Sequence, residues 1–266
     1  MKLFYRSFGS GPPLIILHGL YGSSDNWVTI ARALSNEFTV ILPDQRNHGQ
    51  SPHDTLHTYS SMSEDLLELV TDLKISRFFL AGHSMGGKSA IAFALRWPEM
   101  LSGLLIADIS PFANESEKDN IRSDHFKILN TILSADIERI ESRAELEKKI
   151  AEKLPDENVR GFILKNLKRD ENNRFVWKLN AEALLNNLDN IMEGIAPETW
   201  ISHQISGFPV IFIRGEQSGY IPESHYVEIR KVFPAAEFVT IPNAGHWIHS
   251  DVPVEVIIQL RRLLDT

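Results

Sequence analysis

Apolar residues fall along this chain in two alternating rhythms. Short unbroken runs occur at "PLIILHG", "FTVILPD", "SRFFLAGHS", "LSGLLIAD", "FPVIFIRG" and "EFVTIP". Runs of that length without polar alternation predict strands buried on both faces, as in a parallel sheet. Between the runs, apolar residues recur at helical spacing. Trp27, Ile30, Ala31 and Leu34 share one face, and so do Leu66, Leu69, Val70 and Leu73. Strand and helix in alternation predict an α/β fold with a doubly wound, mostly parallel sheet. The opening segment "LFYRSFG" is expected to add an antiparallel edge strand.

Between Pro111 and His203 the strand rhythm stops and charged helical patterns take over. Ser142-Arg143-Ala144-Glu145 reads as a capping box, with Leu146, Ile150 and Leu154 recurring behind it. Val159, Phe162, Ile163 and Leu167 make a second stripe; Leu184, Leu185, Leu188, Ile191 and Met192 make a third. The organisation expected is a core formed by residues 1–111 and 203–266, with a helical cap at 112–202 inserted after the strand that ends at Asp108. Such a cap would lie over the C-terminal ends of the strands, where doubly wound sheets bind ligands.

Bulk properties narrow the function classes. The chain has 266 residues, enough for one sizeable core plus a lid. A formal net charge of -8 argues against a nucleic-acid partner. The absence of cysteine excludes disulfides, thiolate catalysis and Cys-ligated zinc. The first residues, "MKLFYRSFGSG", lack the apolar core of a signal peptide, and no run is long enough to span a bilayer. A cytoplasmic protein is expected, a monomer or small homo-oligomer with no membrane or nucleic-acid partner.

The candidate chemistry centres on Gly82-His83-Ser84-Met85-Gly86, which fits G-x-S-x-G, the nucleophile elbow. A serine on a tight strand-to-helix turn needs small neighbours, because helix and strand approach closely there. The same letters extend to a rival. Gly82 through Ser89 also reads G-x-x-x-x-G-K-S, a phosphate-cradling P-loop, and "GLLIAD" ends in an acid as a magnesium-holding strand would. Three features favour the elbow. "LHGLYGSSDNW" follows an earlier strand and aims the Leu20 N–H at the space above Ser84, where Met85 offers a second backbone donor. "NAGHWIHSDVP" places His246 in a loop near the C-terminus. The order serine, acid, histidine is that of the elbow enzymes.

"HGLYGSSDNW", "DQRNHGQS", "GHSMGGK", "DISP" and "NAGHW" together resemble the α/β-hydrolase superfamily, and most closely its YbfF-type bacterial esterases. The resemblance spans nearly the whole chain and is weakest in the cap. It implies a serine hydrolase of carboxylic esters, and of acyl thioesters too, without a cofactor.

The acid is the point of departure. In many such hydrolases it follows the strand that here ends at Arg214, but that position is Ser218. Glu216 lies two residues early. Asp251 follows His246 too closely, and Asp44 is expected to tie its loop to Arg46. Asp108, at the tip of the strand beside the elbow strand, can reach the same histidine. The YbfF-type esterases carry their acid in this "DI-P" context, so the resemblance implies Asp108, with Glu216 as the alternative. The expected roles are Ser84 as nucleophile, His246 as general base, Asp108 as its orienter, and Leu20 and Met85 as oxyanion donors.

Other candidates have plainer readings. His18, His48 and His83 belong to turn motifs, and no metal set is evident among the ten histidines. His249 is expected at the surface or against the cap, and Lys88 paired with a carboxylate. Tyr21, Trp27, Phe112, Phe126 and Trp177 are candidates for an acyl pocket or for the core. A non-catalytic ligand receptor on the same fold is the competing functional class.

Overall fold

Each apolar run becomes a strand of one seven-stranded sheet. In chain order the strands are β1 (Tyr5–Phe8), β2 (Pro13–Leu17), β3 (Thr39–Pro43), β4 (Phe78–His83), β5 (Leu101–Ala107), β8 (Val210–Gly215) and β9 (Ala236–Ile241). The structure is a computed structural model and describes residues 1–113, 118–195 and 204–264. The sheet order is β1-β3-β2-β4-β5-β8-β9. Only β1 runs antiparallel, pairing Tyr5 with Pro43 at the sheet edge. The reversal of strand order at β2 and β4 puts the elbow at the topological switch point.

Continuous apolar strands are required because both faces are covered. Side chains alternate between the faces with period two. Ile15, Leu17, Leu80, Leu104, Ile106 and Phe212 turn to one core, shared with α2 (Tyr59–Asp72) and α3 (Met85–Arg96). Leu14, Ile16, Ala81, Leu105, Ile211 and Ile213 turn to the other, shared with α1 (Val28–Leu34) and the helix Pro253–Arg261. Trp27, Ile30, Ala31 and Leu34 are all buried in that second core, as their spacing predicts.

The segment between β5 and β8 carries α4 (Lys118–Ser134), α5 (Arg143–Ala151), α6 (Glu157–Leu164), α7 (Ala181–Asn186) and α8 (Leu188–Met192). It also carries a hairpin of β6 (Leu167–Arg169) and β7 (Phe175–Trp177), where no strand was expected. Three residues per strand are too few for an alternating pattern to register. The turn is built from side-chain chemistry: the Asp170 carboxylate accepts the N–H of Asn172 and Arg174, and Asn173 adopts φ 61°. Leu167 therefore belongs to a strand and not to the α6 stripe.

The third stripe is likewise broken, at Asn187, into α7 and α8. Asn187 donates to the Thr55 carbonyl at 2.8 Å and accepts the His57 N–H at 3.2 Å. Ser142 caps α5 by accepting the Glu145 N–H, but the Glu145 carboxylate takes the N–H of Glu141, so only half of the capping box forms. The inner faces of these helices bury Leu129, Ile132, Ile163 and Leu184 against Leu20, Tyr21 and Met85. The expected boundary at 202/203 lies outside the described residues. Among the described residues no helix is long and apolar enough to cross a membrane.

Candidate active site

The elbow is a steric construction. Ser84 sits between β4 and α3 at φ 52°, ψ -120°, a conformation that costs an L residue about 1–3 kcal/mol. Its neighbours cannot carry a side chain. A Cβ on Gly82 would stand 2.2 Å from the Gly86 carbonyl oxygen, and one on Gly86 would stand 2.4 Å from that of Leu17. Helix α3 opens at Met85, directly after Ser84, so Gly86, Gly87 and Lys88 are already helical. No loop remains to cradle a phosphate, and the P-loop reading is set aside.

Three strand ends bring a hydroxyl, an imidazole and a carboxylate together. His246 Nε2 lies 3.0 Å from Ser84 Oγ, and His246 Nδ1 lies 2.7 Å from Asp108 Oδ2. Asp108 is fully buried at the end of β5 and, like Ser84, has positive φ, 51°. Its other oxygen accepts the Gly215 N–H at 2.9 Å. Ser218 donates its hydroxyl to the same Oδ2 that meets His246. A serine thus stands where an acid was sought, and supports the acid of the adjoining strand. Sequence reasoning set Ser218 aside because it is neutral; its position after Gly215 was the signal.

The alternatives for the acid lie elsewhere. Glu216 is exposed and accepts the Asn243 N–H at 3.0 Å. Asp251 accepts the Gly245 N–H at 3.0 Å and so braces the histidine loop. Asp44 accepts the N–H groups of Ser24 and Gln50; Arg46 pairs with Asp65 instead, at 2.6 Å.

The imidazole is held on several sides. Tyr220 stacks on it, centroids 3.7 Å apart and planes 17° apart. Burial, with Asp108 and Asp124 nearby, pushes the Tyr220 phenol up to about 12, so the ring stays neutral. His83 Nε2 donates to the His246 carbonyl at 2.8 Å. His249, expected at the surface or against the cap, is buried and stacks on Trp27 with centroids 4.8 Å apart.

Two buried histidines set the loop after β2. His18 Nε2 accepts the Gln45 N–H at 2.9 Å, and its Nδ1–H donates to the Gly19 carbonyl. His48 Nε2 accepts the Tyr21 N–H at 3.2 Å, while its Nδ1–H donates to the Arg46 carbonyl. Burial lowers both pKa values, which keeps the rings neutral and able to accept. With the Tyr21 N–H taken, the Leu20 N–H stays available. Neither it nor the Met85 N–H has an acceptor among the described residues. A Cβ on Gly19 would stand 3.3 Å from Ser84 Cβ, so this loop runs directly over the hydroxyl.

Space opens on two sides of Ser84. A lobe of ≈ 180 Å³ is lined by His246, Tyr21, Ile128, Val159, Phe162 and Trp247. A second lobe of ≈ 30 Å³ is lined by Met85, Lys88, Ile109, Tyr59, Ile191 and Met192. His125, on α4, faces both lobes, with Nδ1 3.1 Å from the Tyr21 hydroxyl. Burial, with His246 and Lys88 nearby, pushes it down to about 4. Of the aromatic candidates, Tyr21 and Trp27 line the larger lobe, Phe112 packs edge-on against His225, and Phe126 is half exposed. Among the described residues no group of three His, Asp or Glu is placed to hold a metal.

Lys88 departs from expectation. Its buried ammonium meets no carboxylate among the described residues and donates to the carbonyls of Ile191, Met192 and Glu193, at 3.4, 3.3 and 2.8 Å. Burial, with Lys118 nearby, pushes it down to about 7, and Glu193 opposes that shift.

Comparison with known proteins agrees with this geometry. A family model described as the alpha/beta hydrolase fold matches residues 12–253. The sn-1-specific diacylglycerol lipase ABHD11 of Danio rerio is 36% identical over 251 residues, covering 94% of this chain and 77% of that protein. Esterase YbfF of Escherichia coli (strain K12) is 30% identical over 253 residues, covering 95% and 93%. A solved marine microorganism esterase superposes with a TM-score of 0.93 at 40% identity, covering 98% of this chain and 99% of that one. The chain belongs to the α/β-hydrolase family and is an enzyme of the esterase and lipase kind, with small-molecule esters as its substrate class.

Proposed function

We propose that the protein hydrolyses carboxylic esters through an acyl-serine intermediate, with Ser84, His246 and Asp108 as its triad. The observation that carries this is the unbroken hydrogen-bond relay from Ser84 Oγ through His246 to Asp108, 3.0 and 2.7 Å long. Ser84 attacks the acyl carbon as His246 Nε2 takes its proton. The oxyanion that forms is met by the Leu20 and Met85 backbone N–H groups, the latter at a helix N-terminus where negative charge is favoured. His246 then protonates the leaving alcohol, and water repeats the sequence on the acyl-enzyme. Asp108 keeps the Nδ1–H tautomer and stabilises the imidazolium. Because its carboxylate is fully buried, that interaction is little screened. An acyl thioester enters the same cycle with a thiol as leaving group.

A p-nitrophenyl ester series on wild type, Ser84→Ala, Asp108→Asn and Glu216→Gln tests the assignment. Ser84→Ala and Asp108→Asn should each lose about four orders of magnitude in kcat. Glu216→Gln should stay within about twofold, since its carboxylate only ties a surface turn. A fluorophosphonate should label wild type and spare Ser84→Ala. Near-normal turnover in Asp108→Asn, or no ester turnover at all in wild type, would overturn the proposal; the second result would favour a ligand receptor on this fold.

A further inference from the structure

The two lobes are not equivalent with respect to His246. A general acid must stand within hydrogen-bond reach of the atom it protonates. His246 lines the larger lobe and not the smaller one, so the leaving alcohol belongs in the larger lobe. That lobe also shares Asn26, Phe162, Trp247 and His249 with an outer cleft of ≈ 720 Å³, which gives a bulky alcohol room to extend. The acyl group is left with the lobe of ≈ 30 Å³. Since a water needs about 10–15 Å³ by this measure, that lobe takes roughly two heavy atoms beyond the carbonyl carbon.

Part of the wall of the small lobe is Ile191 and Met192, at the end of α8. The last carbonyls of a helix have no partner within it. Here Lys88, one turn beyond Ser84, donates to three of them in succession, and the Tyr59 hydroxyl donates to the Ile191 carbonyl at 2.6 Å. The Lys88 ammonium also lies over the Tyr59 ring, 5.6 Å from its centroid. The same helix that presents the nucleophile thus holds part of the wall of this lobe. Without the ammonium, the Ile191 carbonyl keeps the Tyr59 hydroxyl but the part-buried Met192 and Glu193 carbonyls lose this donor, and the end of α8 is freer to shift toward water.

Resting on the ester-hydrolase reading above, we infer that Lys88 is a positioning residue that sets acyl-chain length. By clasping the end of α8 it fixes the wall of the small lobe and restricts the enzyme to acetyl and propionyl esters of larger alcohols.

The test is a p-nitrophenyl series from acetate to decanoate on wild type, Lys88→Met and Ile191→Ala. Amide hydrogen exchange over residues 188–195 is followed in Ser84→Ala and Ser84→Ala/Lys88→Met, which needs no activity. Wild type should turn over acetate or propionate best, with kcat/KM at least tenfold lower on hexanoate. Lys88→Met should raise the hexanoate-to-acetate ratio at least tenfold and speed exchange in 188–195 at least tenfold. Ile191→Ala leaves the clasp intact and should raise the same ratio, which keeps the lobe assignment testable if Lys88→Met folds poorly. A wild-type preference for hexanoate or longer overturns the inference, as does an unchanged ratio in Ile191→Ala. A Lys88→Met that loses rate evenly on every chain length makes Lys88 merely structural and overturns it too. If wild type neither turns over esters nor takes the fluorophosphonate, the ester-hydrolase reading and the acyl assignment fall together. Exchange then decides the clasp alone, and unchanged exchange overturns it.

Discussion

At the proposed triad, Ser218 and Asp108 stand just past the ends of adjoining strands and share one hydrogen-bond network with His246. Asp108 Oδ1 takes a backbone N–H, and Oδ2 takes both the Ser218 hydroxyl and His246. The hydroxyl therefore fixes the carboxylate without competing for the imidazole as a second acid would. Ser218→Ala removes one hydrogen bond to a buried charge, and kcat should fall about tenfold, worth about 1.4 kcal/mol, with KM little changed. Asp108→Asn should be about a thousandfold worse than that. Because Ser218 reaches the Asp108 oxygen that meets His246, Asp108→Asn/Ser218→Asp should recover at least about tenfold over Asp108→Asn. Stopped-flow or steady-state ester assays distinguish these outcomes, and a double variant no better than Asp108→Asn would mean the β8 tip cannot present an acid.

At the level of elements, what could be read beforehand was what repetition encodes. Strands buried on both faces declare themselves by unbroken apolar runs, and the elbow by small residues at fixed spacing. That is why Ser84 and the strand ends near it were legible, while the choice of Asp108 over Glu216 rested on the resemblance carried by "DISP". The hairpin β6–β7 was not, because its strands are short and its turn depends on one Asp170 side chain. The break at Asn187 was hidden by an apolar stripe running through it. Tyr220, His125 and the Lys88 clasp were hidden for another reason: their partners lie far away in sequence, and no local pattern specifies them. The elbow itself has little tolerance. In Gly86→Ala the new methyl would overlap backbone of β2, not a mobile side chain. A destabilisation of about 3 kcal/mol or more is expected, read as a lower urea midpoint with an unchanged m-value.

Across the whole molecule, buried neutral histidines govern the response to acid. Burial lowers His57 and His249 from an ordinary value of 6.5 to about 3 each. Below pH 6.5 the unfolded chain takes up protons at these sites and the folded chain does not. Stability is therefore lost as pH falls from about 6.5 toward about 3, by about 1.4 kcal/mol per pH unit for each ring. Urea unfolding between pH 4.5 and 7 should show this slope. His249→Phe keeps the stack on Trp27, loses a ring whose buried Nδ1 has no partner among the described residues, and should make the slope shallower by about one proton. The stretch from Pro111 to Ile195 is closed by a different kind of contact: the Ile195 N–H donates to the Pro111 carbonyl at 2.8 Å, so the two ends of that stretch stand side by side. Closing a loop across such a gap costs almost the same free energy whatever its length. A change in the length of that stretch is therefore expected to leave the strand tips beneath Ser84 in register. A graft between such ends can then retune which esters are accepted without disturbing the residues at the strand tips.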